Sequence, residues 1–208
     1  MQVTWIGGWG MTPAALHPLA QQFVPGATHA FFLPSRSAIE SAVGSDCVVG
    51  WSLGAWRILD AAARGVGFRG RVLLLAPFLA FCSEYNLGGR CSQIQVKWLR
   101  RWVQREPLAA LHDFYQRAGL NESPTALPYA MEDLLEGLDR LAEDASPSLR
   151  RFASSGLPEN WSAVIGDSDP LLDGSTVCRT LPGCRLVAGA GHALEKLLAS
   201  VEEQSYAV

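Results

Sequence analysis

The chain has 208 residues, of which 49% are hydrophobic and 18% charged, with a formal net charge of −3. That is enough chain for one well-buried core and short for two, the charge gives no general reason to expect nucleic acid or a membrane surface as partner, and no apolar run approaches the roughly 20 residues of a membrane span. Met1–Ile6 has neither the basic start nor the apolar core of a secretory leader. The five cysteines (Cys47, Cys82, Cys91, Cys178, Cys184) are odd in number and form no C-x-x-C, so they read as small core residues of a reduced, cytoplasmic protein rather than a disulfide frame or metal site.

Gln2–Ile6 is a strand running into a glycine-rich turn, Gly7-Gly8-Trp9-Gly10. Thr12 followed by Pro13 predicts a helix start, with Thr as N-cap and Pro in the first position, and that helix runs to about Phe23. His29–Leu33 is a second strand and Cys47–Gly50 a third, followed by the helix-prone Ala55–Arg64. Arg71–Ala76 is a fourth strand, Ala163–Ile165 and Arg185–Ala188 are two more, and His192–Glu203 is an amphipathic terminal helix. Continuous apolar strands alternating with helices predict a parallel sheet covered on both faces.

Between Phe78 and Pro158 this rhythm breaks. The stretch holds no strand signal and reads as short helices punctuated by Gly88-Gly89, Pro107, Pro124, Pro128 and Pro147. A helical insertion between parallel strands sits over their carboxyl ends, where such sheets bind ligands. The expected organisation is therefore a single domain, with a core of residues 1–78 and 158–208 and a lid of residues 79–157.

The most informative stretch is Gly50-Trp51-Ser52-Leu53-Gly54, between the third strand and its helix. A serine on so sharp a strand-to-helix turn is pushed out above the sheet edge, and glycines on either side let the chain pass close by. The pattern alone is weak; its strand–turn–helix context carries it. A serine hydroxyl needs a general base, itself oriented by an acid, and the strand-end loops supply both in chain order. Ile165-Gly166-Asp167-Ser168-Asp169 follows the fifth strand and Gly189-Ala190-Gly191-His192 follows the sixth. Of the four histidines, only His192 lies on a strand-end loop of the later sheet; a surface or helix-cap role is its plainer alternative. Asp169, just before an apolar pair, is the favoured acid. Asp167 could instead be the acid or simply brace the turn, Asp173 reads as an N-cap, and Glu84 is a distant further candidate. Acyl transfer also needs donors aimed at a developing oxyanion. The backbone N–H groups of Leu53, after the serine, and Trp9, in the glycine turn, are the candidates; a glycine turn with the Trp9 side chain simply packed is the plainer reading, and it is compatible with donation by the amide.

Five blocks together carry a resemblance: Gly8-Trp9-Gly10-Met11, Gly50–Gly54, the segment around His112-Asp113-Phe114, Gly166 to Asp169, and Ala190-Gly191-His192-Ala193. They resemble the α/β-hydrolase family, and within it the biotin-pathway esterases that demethylate pimeloyl-acyl-carrier-protein methyl ester. The resemblance implies an α/β-hydrolase fold, with Ser52 as nucleophile, His192 as base and Asp169 as orienting acid. It further implies Trp9 and Leu53 as oxyanion donors and Phe114 lining the acyl pocket from the lid, with no metal or organic cofactor. The implied activity is hydrolysis of a medium-chain acyl methyl ester, small or bound to an acyl-carrier protein. A general short-chain esterase or thioesterase, and a non-catalytic binding protein on the same fold, are the alternatives. In two places the sequence departs from the family pattern. Its first strand matches the family's third, so the first hairpin is absent and about six strands, all parallel, are expected, with an edge that a partner subunit would cover. Gly7 also stands where the family often has a histidine. A monomer or weak homo-oligomer is expected.

The lid carries a basic run. Lys97, Arg101 and Arg105 fall at i, i+4 and i+8, with Trp98 and Trp102 beside them, and residues 97–117 hold five basic side chains against two acidic ones. This is either an ordinary solvated face with the tryptophans packed inward, or a rim complementary to an acidic carrier protein.

Overall fold

The computed structural model describes residues 1–121 and 124–205. Six strands form one sheet: β1 (Gln2–Ile6), β2 (Thr28–Phe32), β3 (Cys47–Trp51), β4 (Arg71–Leu75), β5 (Trp161–Gly166) and β6 (Cys184–Val187). Their spatial order is β2-β1-β3-β4-β5-β6, and every pairing is parallel, as the apolar pattern predicts. The reason is visible in burial. β3 is buried along its whole length, while the edge strands β2 and β6 are only half-buried, as expected for a sheet sandwiched between helical layers.

Helices α1 (His17–Phe23), α2 (Arg36–Ala42), α3 (Leu53–Ala63), α8 (Gly174–Thr180) and α9 (Leu194–Ser205) make the crossovers and the terminal cover. α1 packs with α9, and α2 with α3, the two-sided arrangement that right-handed crossovers impose. The expected helix from Thr12 is split. Pro13–Leu16 is a 3-10 turn, α1 starts only at His17, and the Thr12 side chain makes no capping bond. α2 was not anticipated from sequence, although Ser35 caps it by accepting from the Ala38 N–H. The terminal helix starts at Leu194, two residues later than expected, because His192 is drawn into a loop.

The long segment between β4 and β5 contains α4 (Gln93–Arg105), α5 (Pro107–Arg117), α6 (Met131–Leu141) and α7 (Pro147–Ser154). α4 packs on α5 and α6, but α7 lies against α3 in the layer flanking the sheet. The part of the insertion that stands apart from the sheet's flanking layer is thus α4–α6. It is fastened to the core where Arg57, buried on α3, pairs with Glu136 on α6 and donates to the Pro34 carbonyl at 3.1 Å. No helix among the described residues is long and apolar enough to cross a membrane.

Register keeps the carboxyl ends of the central strands level. Ile6 is opposite Gly50, Trp51 opposite Leu75, Leu75 opposite Val164, and Gly166 opposite Val187. The loops leaving these strands therefore meet on one edge. One tight joint there is Gly54, where an added Cβ would stand 2.2 Å from the Ile6 carbonyl oxygen. Since that oxygen is backbone, it cannot swing aside. Gly54→Ala is expected to destabilise the fold by about 3 kcal/mol through overpacking, read as a lowered urea midpoint; an unchanged midpoint would show that α3 can back away from β1.

Candidate active site

Ser52 occupies the single residue between β3 and α3, with φ 54° and ψ −116°. A non-glycine residue rarely adopts such a backbone, which persists only when its surroundings over-determine it. Here the Ser52 N–H donates to the Leu75 carbonyl at 2.9 Å, and its own carbonyl accepts the Trp56 N–H at 3.0 Å, opening α3. Gly50 allows the turn, since a Cβ there would lie 2.5 Å from Ile58 Cδ1 and 2.9 Å from the Ala55 backbone.

The structure brings Ser52, His192 and Asp169 together. Ser52 Oγ is 3.0 Å from His192 Nε2, and His192 Nδ1 is 2.7 Å from Asp169 Oδ2. A carboxylate only accepts, so the ring proton belongs on Nδ1 and leaves Nε2 to accept from the serine hydroxyl. All three are withdrawn from water, at 6% exposure for Ser52, 2% for His192 and 0% for Asp169. Asp169 Oδ1 accepts from the N–H groups of Leu171 at 2.8 Å and Leu172 at 3.0 Å, so both carboxylate oxygens are satisfied.

The other acidic candidates fall elsewhere. Asp167 is exposed and accepts from Ser168 Oγ at 2.8 Å and the Gly189 N–H at 2.9 Å, bracing the turn between the two loops. Asp173 caps α8 through the Thr176 N–H at 3.3 Å and the Thr176 hydroxyl at 3.0 Å; that hydroxyl, first, holds its carboxyl below the usual range. Glu84 accepts from the Gln93 N–H at the start of α4.

Two supports escaped the sequence reading. Trp51 Nε1 donates to the His192 carbonyl at 3.0 Å, so the residue before the serine holds the histidine loop. Arg90 Nη1 donates to the Asp169 carbonyl at 3.0 Å, and the Arg90 N–H donates to the Leu171 carbonyl at 3.0 Å, so the strand-end segment after β4 straps the acid loop. The Gly88-Gly89 signal pointed there, because Gly89 lies against the Phe81 backbone where a Cβ would fall 1.9 Å from its carbonyl oxygen.

The Trp9 loop passes beside the serine: a Cβ on Gly8 would be 3.4 Å from Ser52 Cβ. Leu53 is the first residue of α3, so its N–H has no acceptor within the helix, and the Trp9 N–H enters no backbone hydrogen bond among the described residues. Phe114, on α5, meets the Trp9 ring edge-on at 4.7 Å between centroids and also walls a cavity of about 580 Å³. Leu138 and Leu171 share that wall, while Trp98, Arg101 and Arg105 stand on the α4 side. Ser52 and His192 are not in the wall; Leu171, next but one to Asp169 in the chain, and Phe114, against the Trp9 ring, are the wall residues that connect it to their surroundings.

The basic run is reached only in part by the expectation of inward tryptophans. Trp102 is half-buried, but Trp98 is 62% exposed, with the Arg101 guanidinium 5.7 Å from its ring centroid. Among the described residues, Lys97, Arg101 and Arg105 enter no ion pair. The cysteines are only partly core: Cys47 and Cys82 are buried, and Cys91, Cys178 and Cys184 half-buried.

No protein-family model matches the sequence, and no curated protein does either. Solved structures do match. An esterase from Exiguobacterium antarcticum superposes with TM-score 0.73 at 13% identity, over 98% of this chain and 91% of that one. The esterase RhEst1 from Rhodococcus sp. ECU1013 gives 0.64 at 16% identity, over 98% and 90%. A hydrolase from Oleispira antarctica gives 0.61 at 12% identity, over 99% and 90%. Likeness at this identity establishes the fold, which is the α/β-hydrolase fold.

Cys91 lines the cavity, and burial pushes its thiol up to about 11. Cys178 is instead shifted down, because the Cys184 thiol donates to its sulfur. Thiolate is the reactive form, so iodoacetamide should label Cys178 first near neutral pH, while the Cys91 rate climbs about tenfold per pH unit until about pH 11. Peptide mass spectrometry checks the order; rapid labelling of Cys91 near neutral pH would contradict it.

Proposed function

We propose that this protein is a serine carboxylesterase working through an acyl-enzyme. The observation that carries the reading is the buried Ser52–His192–Asp169 hydrogen-bond chain on a strained strand-to-helix turn. The esterases of like fold named above support it. In this reading Ser52 Oγ attacks the ester carbonyl carbon while its proton passes to His192 Nε2, and Asp169 holds the resulting imidazolium. The carbonyl oxygen becomes an oxyanion facing the Trp9 and Leu53 N–H groups. Collapse breaks the bond to the alkoxy group, which leaves as alcohol with the proton from His192. Water, deprotonated by the same nitrogen, then attacks the acyl carbon, and the proton returns to Ser52 as the acid departs.

For the substrate we propose a medium-chain acyl methyl ester, with pimeloyl-acyl-carrier-protein methyl ester as the specific candidate. The cavity of about 580 Å³, with Phe81, Leu138 and Leu171 in its wall and Arg101, Arg105 and Arg117 on its polar side, is of a size for such a chain with a polar end, and Phe114 is the residue through which the chain would be read. Lys97, Arg101 and Arg105, exposed and without an ion pair among the described residues, favour the carrier-bound form over the free ester, by complementarity to an acidic protein.

A fluorophosphonate probe should label the native protein, and Ser52→Ala should abolish labelling; a native protein that stays unlabelled would leave a non-catalytic binding role in its place. Asp169→Asn should lower kcat about 10⁴-fold by favouring the wrong histidine tautomer, with Asp167→Asn close to native. Equal losses for the two would return the assignment of the acid to an open question. For the carrier, Lys97→Glu, exposed and outside the cavity wall, should raise KM for a carrier-bound ester while leaving p-nitrophenyl butyrate unaffected. A parallel change with both substrates would remove the carrier.

A further inference from the structure

We infer that Tyr115 and Tyr129, both from the helical insertion, are positioning residues that aim the Trp9 N–H at the reacting carbonyl. The inference rests on the esterase reading and adds to it the means by which one oxyanion donor is held. The two phenols grip opposite ends of the residue after Trp9. The Gly10 N–H donates to Tyr129 Oη at 2.7 Å, and Tyr115 Oη donates to the Gly10 carbonyl at 2.7 Å. These tyrosines are 119 and 105 residues away in sequence, and no local pattern marks them.

The loop does little to hold itself. Its internal hydrogen bond, from the Met11 N–H to the Gly8 carbonyl, is long at 3.4 Å. Its conformation depends on Gly10, which has φ 74° and Leu111 Cδ2 2.9 Å from where a Cβ would stand. The insertion supplies what the loop lacks. Besides the phenols, the Trp9 indole N–H donates to the Leu134 carbonyl at 2.8 Å, the Phe114 ring meets the indole edge-on, and Gly137 admits it so closely that a Cβ would fall 2.6 Å from Trp9 Cδ1.

The covalent consequence is simple. The Gly10 N–H lies in the planar peptide that follows the Trp9 Cα, so Tyr129 fixes that plane. The indole contacts fix the side chain on the same carbon. With two of its substituents held, the Trp9 Cα has little freedom left for the peptide carrying its own N–H. Tyr129 is half-buried, and the loss of water around its hydroxyl raises it above the ordinary phenol value, so it remains a neutral phenol able to accept from Gly10.

The test uses Tyr115→Phe, Tyr129→Phe and the double variant, which keep the rings and remove only the hydroxyls. Active sites are titrated with a fluorophosphonate, and kcat and KM are measured per titrated site with p-nitrophenyl butyrate. The inhibition constant of a trifluoromethyl ketone is measured alongside, since its adduct places an oxyanion at the donors. Each single variant should lose about tenfold in kcat, less than the 10²–10³-fold loss of a whole donor, with KM within about twofold. The ketone should weaken by the same factor as kcat. Because both hydroxyls act on one residue, the double variant should lose less than the product of the singles.

A merely structural role would lower the melting temperature or the titrated fraction and leave kcat per site and the ketone unchanged; that result overturns the inference. So does a change in KM alone. A native protein with no phosphonate titre would instead sink the esterase reading and this inference with it, so the two failures are separable. Should the double variant not fold, the singles decide.

Discussion

At Ser52 the chain turns from strand to helix with φ 54° and ψ −116°, and much of the molecule serves to keep it there. Such a conformation costs on the order of 1–3 kcal/mol, so it holds only if every alternative is worse. Its N–H and carbonyl are both used, one tying it to β4 and the other starting α3. Gly54 then jams the first turn of α3 against the Ile6 and Gly7 carbonyls. That contact has a second effect, since it sets how close the exit of β1 lies to the serine. The approach of the Trp9 loop to Ser52 is a consequence of the elbow's packing as much as of its own sequence.

The histidine and acid loops meet the same edge through ties of their own. A Cβ on Gly166 would be 2.1 Å from the Ala190 carbonyl oxygen, and the Ser168 N–H donates to that carbonyl at 3.0 Å, so the loops after β5 and β6 are pressed into one body. Trp51 reaches across to the His192 carbonyl, and Arg90 to that of Asp169. No buried side-chain N or O among the described residues lacks a hydrogen-bond partner. In a site this dry, an unsatisfied carboxylate or imidazole would be costly, so the completeness of these ties is what lets Asp169 and His192 sit away from water.

What could be read from sequence is what local chemistry or chain order encodes. Val48, Val49, Leu74 and Leu75 announce buried parallel strands, and Gly50, Ser52 and Gly54 announce the elbow because steric need leaves few other residues possible. Asp169 and His192 were legible because loops leaving parallel strands share an edge. Thr12 looked like an N-cap, but the chain took a 3-10 turn and its hydroxyl went unused. α2 is seven residues long, too short for a clear period. His192 was drawn into the terminal helix on amphipathic pattern, while a tertiary bond from Trp51 holds it outside. Arg90, Tyr115 and Tyr129 were illegible for one reason: their partners are backbone atoms distant in sequence, and backbone leaves no residue-type signature.

The helical segment between β4 and β5 also divides its labour in a way composition does not show. α7 belongs to the sheet's own flanking layer. α5 and α6 are fastened to the core at the Trp9 loop and through the Arg57–Glu136 pair. α4 touches mainly α5 and α6, with the Arg100–Asp139 pair on its surface, and it carries the exposed Ile94 and Trp98 and three cations that enter no ion pair among the described residues. The part of this segment packed against the Trp9 loop and α3 is therefore the part most tightly tied, and α4, which carries the exposed residues, is the least. Substitutions on the exposed face of α4 are thus expected to leave the Ser52 turn undisturbed, whereas changes on the buried faces of α5 and α6 act on the Trp9 loop.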